Sequence, residues 1–221
     1  MASRSFARDT MTGHRLEQIF IGTPAPLPDG SPSAIYKQAV SGPIAVGVDG
    51  LAGDDQADPD NHGGSERALH HYPIDHYAFW NTHLRPAEPL APGVLGENLS
   101  IAGLTEADVH VGDIFTLGTT RLQLSQPRWP CWKPGARLSI KPMARELITQ
   151  ARAGWFYRVL AAGEIAPGDM LTRCETARHG ITLARLWQLK NTTTPDAAMR
   201  DEIAFMIGYE ALAPDWRERL R

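Results

Sequence analysis

Cys131 stands in the stretch Ser125-Gln126-Pro127-Arg128-Trp129-Pro130-Cys131-Trp132-Lys133, flanked by two tryptophans and by the cations Arg128 and Lys133. Nearby cations stabilise a thiolate and lower a cysteine's pKa. The thiolate is the form that ligates a soft metal or attacks an electrophile. The residue types equally allow a small buried hydrophobe at this position. A second polar stretch, residues 49–69, contains His62-Gly63-Gly64 followed by Arg67. A glycine pair permits close backbone approach, with amides facing an anion, and an imidazole and a guanidinium beside it suit phosphate or another oxyanion. A solvated surface turn has the same composition. His70, His71, His76 and His83 invite a zinc reading. No pair among them has the i, i+4 spacing with a glutamate between, and there is no Cys-x-x-Cys, so zinc is not expected. Cys174 lacks an aromatic, cationic loop and is assigned to packing or a strand end.

Those residues need a scaffold. Alternation over residues 121–125 predicts a strand delivering the cysteine stretch, and the prolines predict its end at Ser125 or Gln126. Residues 15–22, 33–40, 43–48, 96–101, 109–118, 154–160 and 170–174 read as further strands separated by glycine and proline turns. Such strands predict a mainly β body, a mostly antiparallel sheet closed into a barrel or sandwich. Pro73 at a first helical position, followed by Ile74, Tyr77, Ala78 and Leu84, predicts an amphipathic helix over 73–84. Ile140, Met143, Leu147 and Ile148 mark another. From Thr182 the chain changes to three short helices, with Thr182 as a cap and Gly208 as a stop. None has the apolar surface to stand alone, so this module is expected to dock on the body or on another chain.

The chain has 221 residues, room for one large core or for a domain with an appendage, and a net charge of −3. That charge gives no general pull toward nucleic acid or an anionic membrane. Two cysteines make no disulfide framework, so reduced thiols and a cytoplasmic location are expected. No stretch has signal-peptide or membrane-spanning character.

Taken together, Gly50-Leu51-Ala52-Gly53-Asp54, His62-Gly63-Gly64, Gly96-Glu97-Asn98, Val111-Gly112-Asp113 and the Ser125–Cys131 stretch resemble the successive signatures of a MOSC domain, in the order of its stand-alone YiiM-type branch. The resemblance covers about residues 16–173, and the tail from Gly180 is similar to the three-helix domain of that branch. It implies a MOSC-type β-barrel over residues 1–177 with a small α-helical domain over 178–221. It also implies binding of the molybdenum cofactor, a pterin dithiolene with a phosphate. Pyridoxal phosphate binding is a further family-level attribute. On this resemblance Cys131 supplies a thiolate to molybdenum. His62, Gly63, Gly64, Arg67, His71, Asn98 and Arg128 become cofactor-binding candidates, with the arginines toward anionic groups and Asn98 toward the pterin edge.

Stand-alone relatives of this kind reduce N-hydroxylated compounds, such as hydroxylaminopurines and amidoximes, to amines. The chain has neither a Gly-x-Gly-x-x-Gly fingerprint nor a ferredoxin-like cysteine set, so a separate flavin or iron–sulfur reductase is the expected electron donor, with the tail as one docking place. Alternatives with the same residues are a persulfide carrier on Cys131, a cofactor-binding or storage protein without turnover, and a thiol hydrolase pairing Cys131 with His62 or His71.

Overall fold

A computed structural model describes residues 13–57 and 63–221. Seven strands form the body: β1 (Gly13–Ile21), β2 (Leu69–Pro73), β3 (Leu99–Ile101), β4 (Ile114–Leu117), β5 (Thr120–Pro127), β6 (Trp155–Ala161) and β7 (Met170–Glu175). They pair in the order β7-β4-β5-β6-β2-β3-β1, and β1 returns to β7, closing a barrel. Closure removes the exposed edges of a sheet. Every pairing is antiparallel except β2 with β3. Parallel neighbours need a long crossover. Here it contains α1 (Asp75–Leu84) and the loop that leads to the Gly96-Glu97-Asn98 turn.

The expected strand over 33–40 breaks in two. Pro32–Ser33 and Gln38–Val40 are short strands, and the residues between them form a loop. The strand β5 runs on to Pro127, past the end expected at Ser125 or Gln126. A register shift between Leu124 and Gln126 lets Pro127 still face Trp155, and a bulge at a ladder's end tolerates proline. Pro73 ends β2 and does not begin the helix. Opposite Ile101, its missing N–H is not needed, because the Ile74 amide makes the bond to the Ile101 carbonyl at 3.0 Å. The strand β2 itself was not legible from alternation: all five of its residues are buried.

Beyond the barrel lie α2 (Lys133–Leu138), α3 (Met143–Thr149), α4 (Leu183–Asn191), α5 (Ala197–Gly208) and α6 (Pro214–Leu220). Thr182 caps α4 as its sequence position predicts, accepting from the Arg185 amide at 3.1 Å. One contiguous apolar core joins barrel residues such as Leu124, Trp155 and Tyr157 to Leu186, Trp187, Leu212 and Trp216 of the C-terminal helices. Docking on the body therefore buries what these short helices could not bury alone. Cys174 lies near the end of β7 and is exposed rather than packed. Among the described residues, no helix is long and apolar enough to cross a membrane.

Candidate functional site

Where β5 leaves the barrel, its last residues and the loop after them form one wall of a cleft. The turn before β2 forms another. Gly64, at φ +89°, opens a single 3-10 turn, Ser65–Arg67, a backbone region that favours glycine. The turn is held to β5: the Glu66 carbonyl accepts from Ser125 Oγ at 2.6 Å and from Gln126 Nε2 at 3.2 Å. The Glu66 carboxylate in turn takes Arg158 Nε at 3.1 Å. This arrangement brings Arg67 beside the cysteine loop.

The cleft has two connected parts that share Arg67, Arg128, Cys131, Lys133 and Phe156. The inner part, about 120 Å³, adds Lys37, Asp54, His70 and Asn98. The outer part, about 630 Å³, adds Gln126, Trp129, Trp132 and Arg219. Among the described residues, four cations and no carboxylate line the outer part. Such a wall attracts anions. Arg128 is only 8 % exposed. Its Nη2 donates to the Leu95 carbonyl at 3.4 Å, while its buried Nη1 has no partner among the described residues. A buried guanidinium left with an unpartnered N–H is costly unless an anion completes it. Neither Cys131 nor Cys174 is in a disulfide.

The inner wall is a network made by the protein itself. Asp54 pairs with Lys37 and accepts from the Gly22 amide at 2.8 Å. Asn98 donates from Nδ2 to Asp54 Oδ2 at 2.8 Å and to the Phe20 carbonyl at 3.2 Å, and its Oδ1 accepts from the His70 amide at 3.0 Å. Its amide is thus engaged within the protein, which makes Asn98 a brace of the cleft wall where its sequence position suggested a reader of a pterin edge. Burial lowers the Lys37 ammonium pKa, and Asp54 partly offsets this.

His71 is not on the cleft. The strand β2 turns successive side chains to opposite sides. His71 points into the barrel, fully buried, with its ring centroid 4.1 Å from that of Trp155 and its Nδ1 3.0 Å from the Tyr157 hydroxyl. His70 faces the cleft instead. Burial, then the charge of Arg128, holds its pKa well below the ordinary 6.5, so the ring is neutral. Recognising β2 as a strand would have separated the two histidines. His76 and His83 turn to Glu106 and Glu146, at 2.6 and 3.0 Å. Gly63 and Gly64 are not among the cleft-lining residues, and His62 lies outside the described residues.

Lys37 and Arg219 line the cleft without having been singled out in the sequence, and Asp54 and His70 were named there only in a family motif and in the zinc reading. Arg219 comes from the last helix, where nothing local marks it. Its guanidinium lies over the Trp129 ring, 4.4 Å from the centroid. Trp129 stacks on Trp187 of α4, centroids 5.6 Å apart.

Residues 58–172 match the profile of the MOSC domain. The chain is 38% identical to Protein YiiM of Escherichia coli (strain K12) over 175 residues, covering 77% of this chain and 78% of that one. It is 40% identical over 145 residues, 65% of this chain, to a protein of Gibberella moniliformis (strain M3125 / FGSC 7600) named Reductase, of which the shared segment spans 26%. The crystal structure of YiiM from Geobacillus stearothermophilus superposes with a TM-score of 0.78 at 29% identity, covering 94% of this chain and all of that one (100%).

Proposed function

The chain belongs to the MOSC domain family, and from that premise we propose that it is a molybdenum-cofactor-dependent oxidoreductase that reduces N-hydroxylated compounds to amines, with Cys131 as the thiolate ligand of molybdenum. The observation that carries this reading is the cleft in which Cys131 shares a wall with Arg67, Arg128 and Lys133, where the buried Nη1 of Arg128 has no partner among the described residues.

MOSC domains are a molybdenum-cofactor-binding family, and the donor set here fits such a group. A soft thiolate suits the metal. Guanidinium and ammonium groups suit the dithiolene and phosphate charges. The outer cavity, about 630 Å³, lies within the roughly 300–1,000 Å³ typical of ligand sites. When bound, the cofactor supplies two-electron redox chemistry at the metal.

The chain's own residues bind and orient. Arg128 Nη1 offers a fixed donor to an anion. Arg67 and Lys133 add charge at the same wall. The neutral His70 and the Lys37–Asp54 pair keep the inner end polar, and Lys37 Nζ holds a proton there. Overall, R–NHOH with two electrons and two protons gives R–NH2 and water. Hydroxylaminopurines and amidoximes are the proposed substrates. The electrons would come from a separate flavin or iron–sulfur protein.

The test is metal and pterin analysis of protein purified without oxygen from a host that makes the cofactor, beside Cys131→Ala. Near-stoichiometric molybdenum in the wild type, its loss in the variant, and turnover of 6-hydroxylaminopurine with a chemical reductant are expected. Intact folded protein without molybdenum, carrying sulfane sulfur on Cys131, would move the reading to a persulfide carrier. Molybdenum without turnover would leave a binding protein.

A further inference from the structure

The outer cavity is lined, among the described residues, by four cations and no carboxylate. Arg67, Arg128, Lys133 and Arg219 line it, and Asp215 is bridged to Arg67. Arg219 stands farthest from the barrel in the chain, on α6, and is held there by packing. Its guanidinium lies on one ring, Trp129, which Trp187 stacks and Trp216 meets edge-on with centroids 5.9 Å apart. A guanidinium fixed on an aromatic face loses little freedom when its remaining N–H groups take a planar or tetrahedral anion. Trp132 borders the same cavity and is 50 % exposed. A large aromatic face left half in water beside a cationic cavity is a surface on which a planar ring can stack.

From this we infer that Arg219 forms an anion subsite in the outer part of the cleft that takes a phosphate carried by the substrate, and that the preferred substrates are N-hydroxylated purine nucleotides rather than free bases. The inference rests on the reductase reading for its choice of base. It assigns the C-terminal helices a direct part in the site: they carry the residue that selects the phosphate. A phosphate in this cleft has two possible owners, the cofactor and the substrate, and the experiment separates them.

Binding of AMP, adenosine and inorganic phosphate to the holoprotein is measured by calorimetry, in the wild type and in Arg219→Gln and Arg219→Lys, with molybdenum content and thermal unfolding recorded for each. AMP is the amine product of the N-hydroxylated nucleotide, and adenosine is the same product without its phosphate. Charge-assisted contacts to one phosphate predict AMP at least about tenfold tighter than adenosine in the wild type. That ratio is expected to fall below about threefold in Arg219→Gln and to recover in part in Arg219→Lys. Equal Kd values for AMP and adenosine, no measurable AMP binding, or a ratio unmoved by Arg219→Gln in a folded protein would overturn the inference. So would inorganic phosphate binding as tightly as AMP, or loss of molybdenum in Arg219→Gln, which would give the phosphate to the cofactor. Failure to turn over both 6-hydroxylaminopurine and its nucleotide would remove the reductase reading and with it the N-hydroxylated substrate, while the AMP-to-adenosine ratio still decides whether Arg219 forms a nucleotide-phosphate subsite.

Discussion

The indole Nε1 of Trp216 donates to the carbonyl of Pro127 at 2.7 Å. This bond ties the last helix to the residue where the barrel strand becomes the cysteine loop. The Ala213 amide adds a second tie, to the Ser125 carbonyl at 3.0 Å. Arg67 is bridged to Asp215 of the same helix. The C-terminal helices are therefore a wall of the site.

Trp216→Phe keeps most of the apolar area but leaves the Pro127 carbonyl without its indole donor. An unmade buried hydrogen bond costs about 1–3 kcal/mol, so chemical denaturation should show a loss of that size. Cofactor retention should fall with it, because the Cys131 loop loses its brace. Removing residues 178–221 should abolish turnover with a chemical reductant as well as with a protein donor, since the core they share with the barrel is cut open. Full activity of the truncated chain with the chemical reductant would show that the tail serves only for docking.

Gly154 sits at φ +73°, where a Cβ would lie 2.3 Å from the His71 carbonyl. Its carbonyl accepts from the Arg128 amide at 2.9 Å, and its amide donates to Glu106 Oε1 at 2.8 Å. Gly154→Ala combines left-handed strain with a backbone clash. A loss of roughly 2–4 kcal/mol in unfolding free energy is expected, with weaker anion binding because Arg128 shifts. Calorimetric unfolding of the two proteins checks the first part and phosphate titration the second.

Arg128 carries a buried N–H that has no partner among the described residues. Arg128→Gln should therefore leave the cofactor-free protein as stable as the wild type or about 1 kcal/mol more so. The same change should lower cofactor content at least about tenfold. A cofactor-free variant several kcal/mol less stable would mean that Arg128 is a structural residue. Denaturant titration of apoprotein beside metal analysis separates the cases.

His70 and His71 are both buried and held neutral, with pKa values well below 6.5. Burial is the main cause for each, joined by Arg128 for His70 and by His14 and His76 for His71. In the unfolded chain both take up protons as the pH falls through about 6.5, while the folded protein does not. The unfolded state then binds more protons, so stability is full above that pH and declines below it. Each histidine adds a slope of up to about 1.4 kcal/mol per pH unit in that window. His71→Gln should flatten the curve between pH 6.5 and 5. An unchanged slope in the variant would mean that His71 is protonated in the folded state.

The sequence alone determined what depends on neighbours along the chain. The five motifs in register, four of them marked by glycine, indicated a closed β body of one family. The cations beside Cys131 marked its loop, and Thr182 marked the start of α4. The order of strands in the barrel, the extent of β2 and the composition of the cleft depended on tertiary structure. A strand buried on both sides has no polar face, so β2 showed no alternation, and His71 looked as available as His70. Asn98 looked like a ligand reader because an amide's sequence context does not reveal that Asp54 and the backbone already use it. Arg219 and Asp215 carried no local signal, because the contacts that make them part of the site cross about two-thirds of the chain: Arg67 and Asp215 are 148 residues apart. Only closing the barrel and docking the last helix on it placed a C-terminal cation beside Cys131.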